Sequence, residues 1–477
     1  MPVSRRTRWP PAHHFWSSRL CWTLRGPAPR PDGARAARRV AALIGTLALA
    51  TVSLGGCTPA STPPANAGDA VIKTNTPPGV RAKQLMDMLN SDWPIGPVGV
   101  KTLAVPSQVD DIGTTMDMMW WDRPYTLAGV DIGAGAATLH VVTSYGARQD
   151  IELRTDDSST LVDRMTVTNQ PLALHSWADV DAVLAKTGAR YAYQLSKVDN
   201  GRCVKVAGTN TTQSLPLASI FKLYVLYAVA DAVKAGTLAW DDQLTITAEA
   251  KKLGSSGFDK LPPGAQISVR DAAGKMIATS DNMATDLLIG RLGPGAVERA
   301  LAAAGHHDPA SMTPFPTMHE IFSIGWGEPD LRAQWQHADA AGRGALLQQT
   351  STRPYEPDPL RTHSPASAYG AEWYGSAEDI CRVHAALQTA AVGVAAPVRD
   401  IMSFIPGIDL DRTEWPYIGA KAGNLPGELT FSWYAVDRAG QAWVLSLQTN
   451  WPRFYSVRTA GWLMTVIKQM WALAHQG

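Results

Sequence analysis

Apolar and polar positions become regular only from about residue 79. Val80–Leu89 has helical spacing, and Val109–Trp121 predicts a second helix. Three runs then alternate with period two: Ala137–Tyr145, Gln149–Arg154 and Leu161–Thr168. Turn-rich Tyr145-Gly146 and Asp156-Asp157-Ser158-Ser159 separate them, so they read as an antiparallel meander. Helices followed by such a sheet predict a small α+β domain over 79–175.

The pattern changes at Trp177. Ala178–Lys186 has helical spacing, and Tyr191–Ser196 and Cys203–Ala207 read as two strands joined at Asp199-Asn200-Gly201, a hairpin signal. An apolar helix follows over Leu223–Ala235. Further on, Met276–Ile289 contains two helical stretches meeting at the polar break Ser280-Asp281-Asn282. The remaining expected elements are a helix over Asp330–Gln349, a Pro-rich turn over Pro354–Pro359 and a helix over Ser376–Leu387. Strands over Leu429–Asp437 and Ala442–Gln448 and an apolar helix over Val457–Ala474 complete the chain. This is a second α+β domain over 176–477.

Upstream of both domains, Arg35, Arg38 and Arg39 precede an apolar run from Val40 to Leu54. That run is too short for a spanning helix and suits a signal-peptide core. It ends in Leu54-Gly55-Gly56-Cys57, which resembles a bacterial lipobox; the resemblance implies lipidation of Cys57 and an exported protein held at the outer face of the cytoplasmic membrane. Residues 1–57 are therefore expected to be a signal peptide, with 1–34 suggestive of a start assigned too far upstream. The Pro/Ser/Thr/Ala-rich stretch 58–78 reads as a flexible tether.

Charge sharpens this picture. Residues 1–56 hold nine of the 43 basic residues and one of the 42 acids, so the remainder carries 34 basic and 41 acidic residues, a net −7. A mildly acidic body with no basic stripe argues against nucleic-acid binding. None of the four cysteines lies at metal-ligand spacing, and His306-His307 falls in a polar turn read as solvated, so neither metal nor cofactor is expected. Cys203 and Cys381 either pair outside the cytoplasm or stay as free buried thiols. In the first domain Asp131 and His140 are read as ordinary polar positions, and Met116, Met118, Met119, Trp120 and Trp121 as core or interdomain packing.

The chemistry sits in the second domain. Ser219 and Lys222 lie three apart at the start of the apolar helix and so share one face. A serine hydroxyl needs a base to become a nucleophile. Phe221, Leu223, Tyr224, Val225 and Leu226 surround Lys222 with apolar bulk, which lowers a lysine's pKa. The other two elements are Ser280-Asp281-Asn282 and Lys421-Ala422-Gly423-Asn424, the latter where a strand carrying a glycine lets backbone approach a substrate.

S-x-x-K, S-D-N and K-x-G in this order resemble the class A β-lactamase and penicillin-binding serine hydrolases. The resemblance implies a fold of antiparallel sheet flanked by helices plus a helical subdomain, acting as a monomer on a small β-lactam, ester or cell-wall peptide. By resemblance, Ser219 is acylated, Lys222 takes its proton, and Ser280 relays a proton to the leaving group. Asn282 and Lys421 bind substrate, Gly423 keeps the strand close, and the Ser219 and Asn424 amides form the oxyanion hole.

Two departures qualify it. Ala422 replaces the usual hydroxyl residue, and no E-x-x-L-N motif supplies a deacylating glutamate. The corresponding stretch is Met312–Phe322, followed by an insert of about 50 residues through Tyr374. Glu320 and Glu372 are the candidate substitutes. The front domain, the insert and Glu372-Trp373-Tyr374-Gly375-Ser376 resemble the two-domain type seen in the β-lactamase-like protein of clavulanic acid gene clusters and in mycobacterial LpqF-type lipoproteins. That resemblance implies a cystatin- or steroid-isomerase-like front domain.

Overall fold

A computed structural model describes residues 71–474, so the signal segment, Cys57 and most of the tether lie outside the described residues. The first unit holds α1 (Pro77–Leu89), α2 (Pro97–Leu103) and α3 (Val109–Trp121), then β1 (Thr126–Ile132), β2 (Ala136–Val142), β3 (Arg148–Thr155) and β4 (Val162–Asn169). The strands form an antiparallel sheet in chain order. Alternate side chains Leu139, Val141, Ile151, Leu153 and Val162 face Leu85, Leu89, Leu103, Ile112 and Met116 from the helices. Sequence patterning missed β1 as a sheet member because the β1–β2 register slips between Leu127 and Gly129, which breaks strict alternation. The first helix also starts earlier than its apolar spacing suggests: Thr76 caps it and Pro77 opens it.

The second unit opens with α4 (Trp177–Ala185), β5 (Arg190–Asp199), β6 (Arg202–Thr209) and β7 (Leu215–Pro216). A 3₁₀ turn, Ala218–Phe221, runs into α5 (Lys222–Lys234). The helical part holds β8 (Gln243–Thr245), α6 (Ala248–Lys252), β9 (Gln266–Ser268), α7 (Val269–Ala278), α8 (Asn282–Leu292), α9 (Ala296–Ala303), α10 (Met318–Trp326), α11 (Arg332–His337) and α12 (Ala340–Ser351). Then come β10 (Tyr374–Gly375), α13 (Ala377–Ala390), α14 (Pro397–Ser403), β11 (Tyr417–Leu425), β12 (Glu428–Val436), β13 (Ala442–Asn450) and α15 (Val457–Ala474).

Five strands pair antiparallel in the order β11-β12-β13-β5-β6. Phe431, Trp433 and Ala435 of β12 join one core with α4 and α15, while Tyr434 packs with Cys381 of α13 on the other side. The sheet is therefore sandwiched between α4/α15 and the helical part built around α5. The β5–β6 turn uses Asn200 and Gly201 at positive φ, as its sequence predicts. The single helix expected over Asp330–Gln349 is two helices, because Asp339 turns its carboxylate onto the Gly342 amide and starts a new one. Cys203 on β6 and Cys381 on α13 form a disulfide, which settles the alternative left open by sequence.

The two units share a polar and aromatic junction. Asp122, fully buried, accepts from the Ser456 amide (2.8 Å), the Ser456 hydroxyl (2.7 Å) and Thr459 (3.3 Å) at the start of α15. Trp121 stacks on His363 of the insert at 4.4 Å, and Phe454 meets both rings edge-on. The Met116–Trp121 cluster thus divides its work: Met116 and Met119 fill the first core, Trp120 is buried with its Nε1 donating to Ser91 O, and Trp121 faces the second unit.

Candidate active site

Ser219 sits on the 3₁₀ turn that leads into α5, and the backbone around it is held on every side. Leu217 donates its amide to Trp373 O (2.8 Å), and Thr430 Oγ1 donates to Leu217 O (2.9 Å). Phe221 stacks on Trp373 at 3.9 Å. Ala218, immediately before Ser219, adopts φ +44°, a region that costs an alanine about 1–2 kcal/mol. It persists because neighbours leave no alternative. Strand β11 presses against this turn: a Cβ on Gly423 would lie 2.6 Å from the Ser219 nitrogen and 2.9 Å from the Ala218 Cβ. Gly423 is thus required for its lack of a side chain.

Lys222 is fully buried on the first turn of α5. Its Nζ contacts Ser280 O (2.8 Å), Asn282 Oδ1 (2.7 Å) and Ser280 Oγ (3.2 Å). Burial pulls its pKa down to about 7, against the opposing charges of Asp281 and Asp286. A neutral amine has two N–H groups and one lone pair. The two carbonyl oxygens take the N–H groups, which leaves the lone pair for a hydroxyl. Lys421, also buried, reaches the same Ser280 Oγ at 3.0 Å and Ala422 O at 2.6 Å. Burial first, then repulsion from Lys222, pushes Lys421 well below the ordinary lysine range. Ser280 itself holds φ +57°, so its hydroxyl bridges both lysines from a constrained backbone.

Ser219, Lys222, Ser280, Asn282, Lys421 and Gly423 are therefore brought together. Asn424 lies next on β11 with its side chain exposed. Two anchors escaped sequence reasoning. Asp281 caps α8 through Ala284 N and also accepts from Ser255 Oγ (2.6 Å), Ser256 N and Gly257 N. Asp286 accepts from Met318 N (2.8 Å) and His319 N (2.9 Å), drawing that segment onto α8, and its burial raises its pKa to about 6. An acid in the apolar run Met283–Ile289 was the available signal.

The two glutamates proposed as deacylating bases meet other arrangements. Glu320 closes a capping box with Thr317 at the start of α10. Glu372 is buried, with Oε1 accepting from Trp373 N (2.8 Å), a further bond from the Ala218 amide, and Glu428 against it. Among the described residues no hydrogen bond joins a carboxylate to Ser219.

Of the possible metal ligands, His306, His307 and Asp379 lie within 4.8 Å of one another. Asp379 already accepts from Ser376, His307 and Arg382 as the capping acid of α13, and His306 bonds Tyr374 O and Asp308 N. The set is a helix cap. His306 is buried, contrary to the solvated turn its sequence suggests, because its ring packs at 5.8 Å from Tyr224 of α5. In the first unit His140 lies between Asp150 (2.7 Å) and Asp131 (3.0 Å), and these bonds raise its pKa.

Two family models match parts of the chain. Residues 176–352 match the beta-lactamase enzyme family, and residues 72–161 match a family described as ORF 12 gene product N-terminal. No curated protein matches the chain. Among solved structures, PBP-A is 15% identical, with 63% of this chain and 96% of that one covered and a TM-score of 0.44. A β-lactamase from Sphaerobacter thermophilus is 18% identical over 62% and 97% of the two chains, with a TM-score of 0.42. The chromosome-encoded β-lactamase of Vibrio parahaemolyticus is 15% identical over 63% and 98%, with a TM-score of 0.44. By the family match over residues 176–352 and by motif order, the second domain is similar to the β-lactamase enzyme family.

Proposed function

We propose that the protein is a serine hydrolase acylated at Ser219 by a β-lactam, ester or amide. The observation that carries this reading is the convergence on Ser280 Oγ of Lys421 and of Lys222, which lies one helical turn on from Ser219. Neutral Lys222 accepts the Ser219 proton as the oxygen attacks. Ser280 passes a proton to the leaving nitrogen or oxygen, and Lys421 holds its hydroxyl and the substrate's anionic group. Backbone amides at Ser219 and Asn424 stabilise the oxyanion, each at about 3 kcal/mol.

Glu320 is engaged in a capping box and Glu372 lies against Glu428, so among the described residues neither candidate glutamate is free to activate water. Acylation is then faster than release. This favours a penicillin-binding or D-alanyl peptidase-like protein, or a slow esterase, over an efficient β-lactamase. A non-catalytic envelope-binding lipoprotein is the reading that remains if Ser219 does not react.

The same proposal places the protein at the outer face of the membrane, anchored at Cys57 as a monomer. The lipobox-like Leu54–Cys57 and the Cys203–Cys381 disulfide support export, since disulfides persist mainly outside the cytoplasm.

The test is intact-mass analysis of the full chain with nitrocefin, a short-chain ester and a fluorescent penicillin. A Ser219 adduct that persists without turnover is expected, and Ser219→Ala should abolish it. No adduct and no turnover with any of the three would remove the catalytic reading for these classes.

A further inference from the structure

Glu372 and Glu428 face each other inside the protein, 4% and 2% exposed. Segment 372–375 runs antiparallel to 215–218, which puts Glu372 beside Ala218. Its carboxylate takes the amides of Trp373 and Ala218. Glu428 opens β12, directly after the turn from Leu425 of β11, and takes the Ser367 hydroxyl from the insert. Asn450 donates to the same Ser367 Oγ at 3.1 Å. Glu372 Oε2 and Glu428 Oε2 are buried with no hydrogen-bond partner among the described residues, and the two carboxyls lie close enough to act on each other.

Two ionised carboxylates cannot share such a site, whereas one proton between them makes a strong hydrogen bond. Burial raises both groups, and the neighbouring Glu428 raises Glu372 further, so a proton stays on the pair at neutral pH. The surrounding titratable and charged groups do not replace it. Tyr374 donates its hydroxyl to Ser367 O and is itself raised by burial first and then by both acids. Arg190 on β5 and Arg343 on α12 act on Tyr374, and among the described residues neither forms a salt bridge with Glu372 or Glu428.

We propose that Glu372 and Glu428 are positioning residues that share one proton and thereby hold the strained Ala218 peptide, and with it Ser219, in register with the β11–β12 hairpin. The proposal rests on Ser219 being the acylated residue. With the proton present, the insert, the nucleophile turn and the hairpin are tied at one point. Loss of the proton sets two charges against each other, frees the Ala218 amide and loosens the Ser219 turn. Acylation thus gains an alkaline limb that comes from neither lysine.

Two measurements on the full chain test this, each from mildly acidic to mildly alkaline pH. The first is hydrogen-exchange protection of the Ala218, Ser219 and Ile220 amides; the second is the acylation rate with a fluorescent penicillin. Wild type should lose about tenfold in both on the alkaline side. Glu428→Gln, which keeps a neutral donor, should hold its protection and rate there. Glu428→Ala should lose protection across the whole range. Parallel pH curves for wild type and Glu428→Gln would overturn the proposal. If protection follows the expected pattern while no probe ever acylates Ser219, the acid pair stands and the serine hydrolase reading falls.

Discussion

Gly423 lies so close to Ser219 that a methyl group on the glycine would sit 2.6 Å from the serine's backbone nitrogen. The strand and the Ser219 turn are thus in contact through backbone alone. Gly423→Ala must push them apart, because Thr430 Oγ1 at 2.6 Å and Ala218 Cβ at 2.9 Å close the other directions. Acylation should fall by about 10²-fold, the loss typical of one oxyanion donor. An intact-mass time course reads this directly. A wild-type rate in the variant would show that β11 can withdraw without harm.

The Lys222 ammonium must lose its proton before it can accept one from Ser219. With its pKa drawn down to about 7 by burial, the acylation rate should rise with pH through that value. Lys222→Arg, which stays charged, should cut the rate by about 10²-fold or more at every pH. The same depressed pKa means the buried lysine adds stability above its ordinary value of 10.5 and loses it as pH falls through about 7. A flat rate–pH profile would assign proton acceptance elsewhere.

Ala422 is exposed beside Lys421 on β11. Restoring a hydroxyl there with Ala422→Thr should strengthen binding of a substrate carboxylate by about 1.5 kcal/mol, roughly tenfold in kcat/KM for penicillins. Neutral esters should be unaffected. Equal gains for both substrate types would mean the hydroxyl acts on something other than the carboxylate.

Asp122 holds the two units together from a site where burial raises its pKa to about 6. Because the folded value exceeds the ordinary 3.8, its contribution is most favourable below pH 3.8 and is lost as pH rises through about 6. Asp122→Asn removes that pH dependence and keeps one acceptor. Asp122→Ala strands the Ser456 amide and hydroxyl and should cost about 1–3 kcal/mol. Thermal melts of the three proteins across mildly acidic pH decide this; identical slopes for wild type and Asp122→Asn would contradict it.

The Cys203–Cys381 bond closes a separation of 178 residues. Chain-entropy reasoning puts its contribution at about 5 kcal/mol, near the upper end of the measured range. Denaturant unfolding of the Cys203→Ser/Cys381→Ser double variant measures it. A loss below about 1 kcal/mol would place the stabilisation elsewhere.

Sequence alone picked out the residues that the fold gathers around Lys222, because their pattern is local. Ser219 and Lys222 share a helical turn, and the polar break at Ser280–Asn282 interrupts an apolar pattern. The final helix is legible to its ends, since eighteen residues of consistent spacing leave little ambiguity. What stayed hidden depends on distant partners. Glu428 looks like the charged end of a hairpin until Glu372, 56 positions earlier, is folded against it. Glu320 suggests a base until Thr317 is seen to cap with it. The His306 ring is polar in sequence and buried in space, because α13 and α5 close over it.

The stacked rings of Trp121 and His363, with Phe454 across them, have a bearing on how this molecule can be cut. His363 belongs to the same insert that carries Ser367 and Glu372, so an aromatic clasp on the first unit grips the loop that braces the Ser219 turn of the second. Cutting the chain near residue 175 would leave an unclasped loop and a sticky, half-bare ring surface. The chain has two units by topology, but for the purposes of trimming, crystallising or inhibiting it, it is one object.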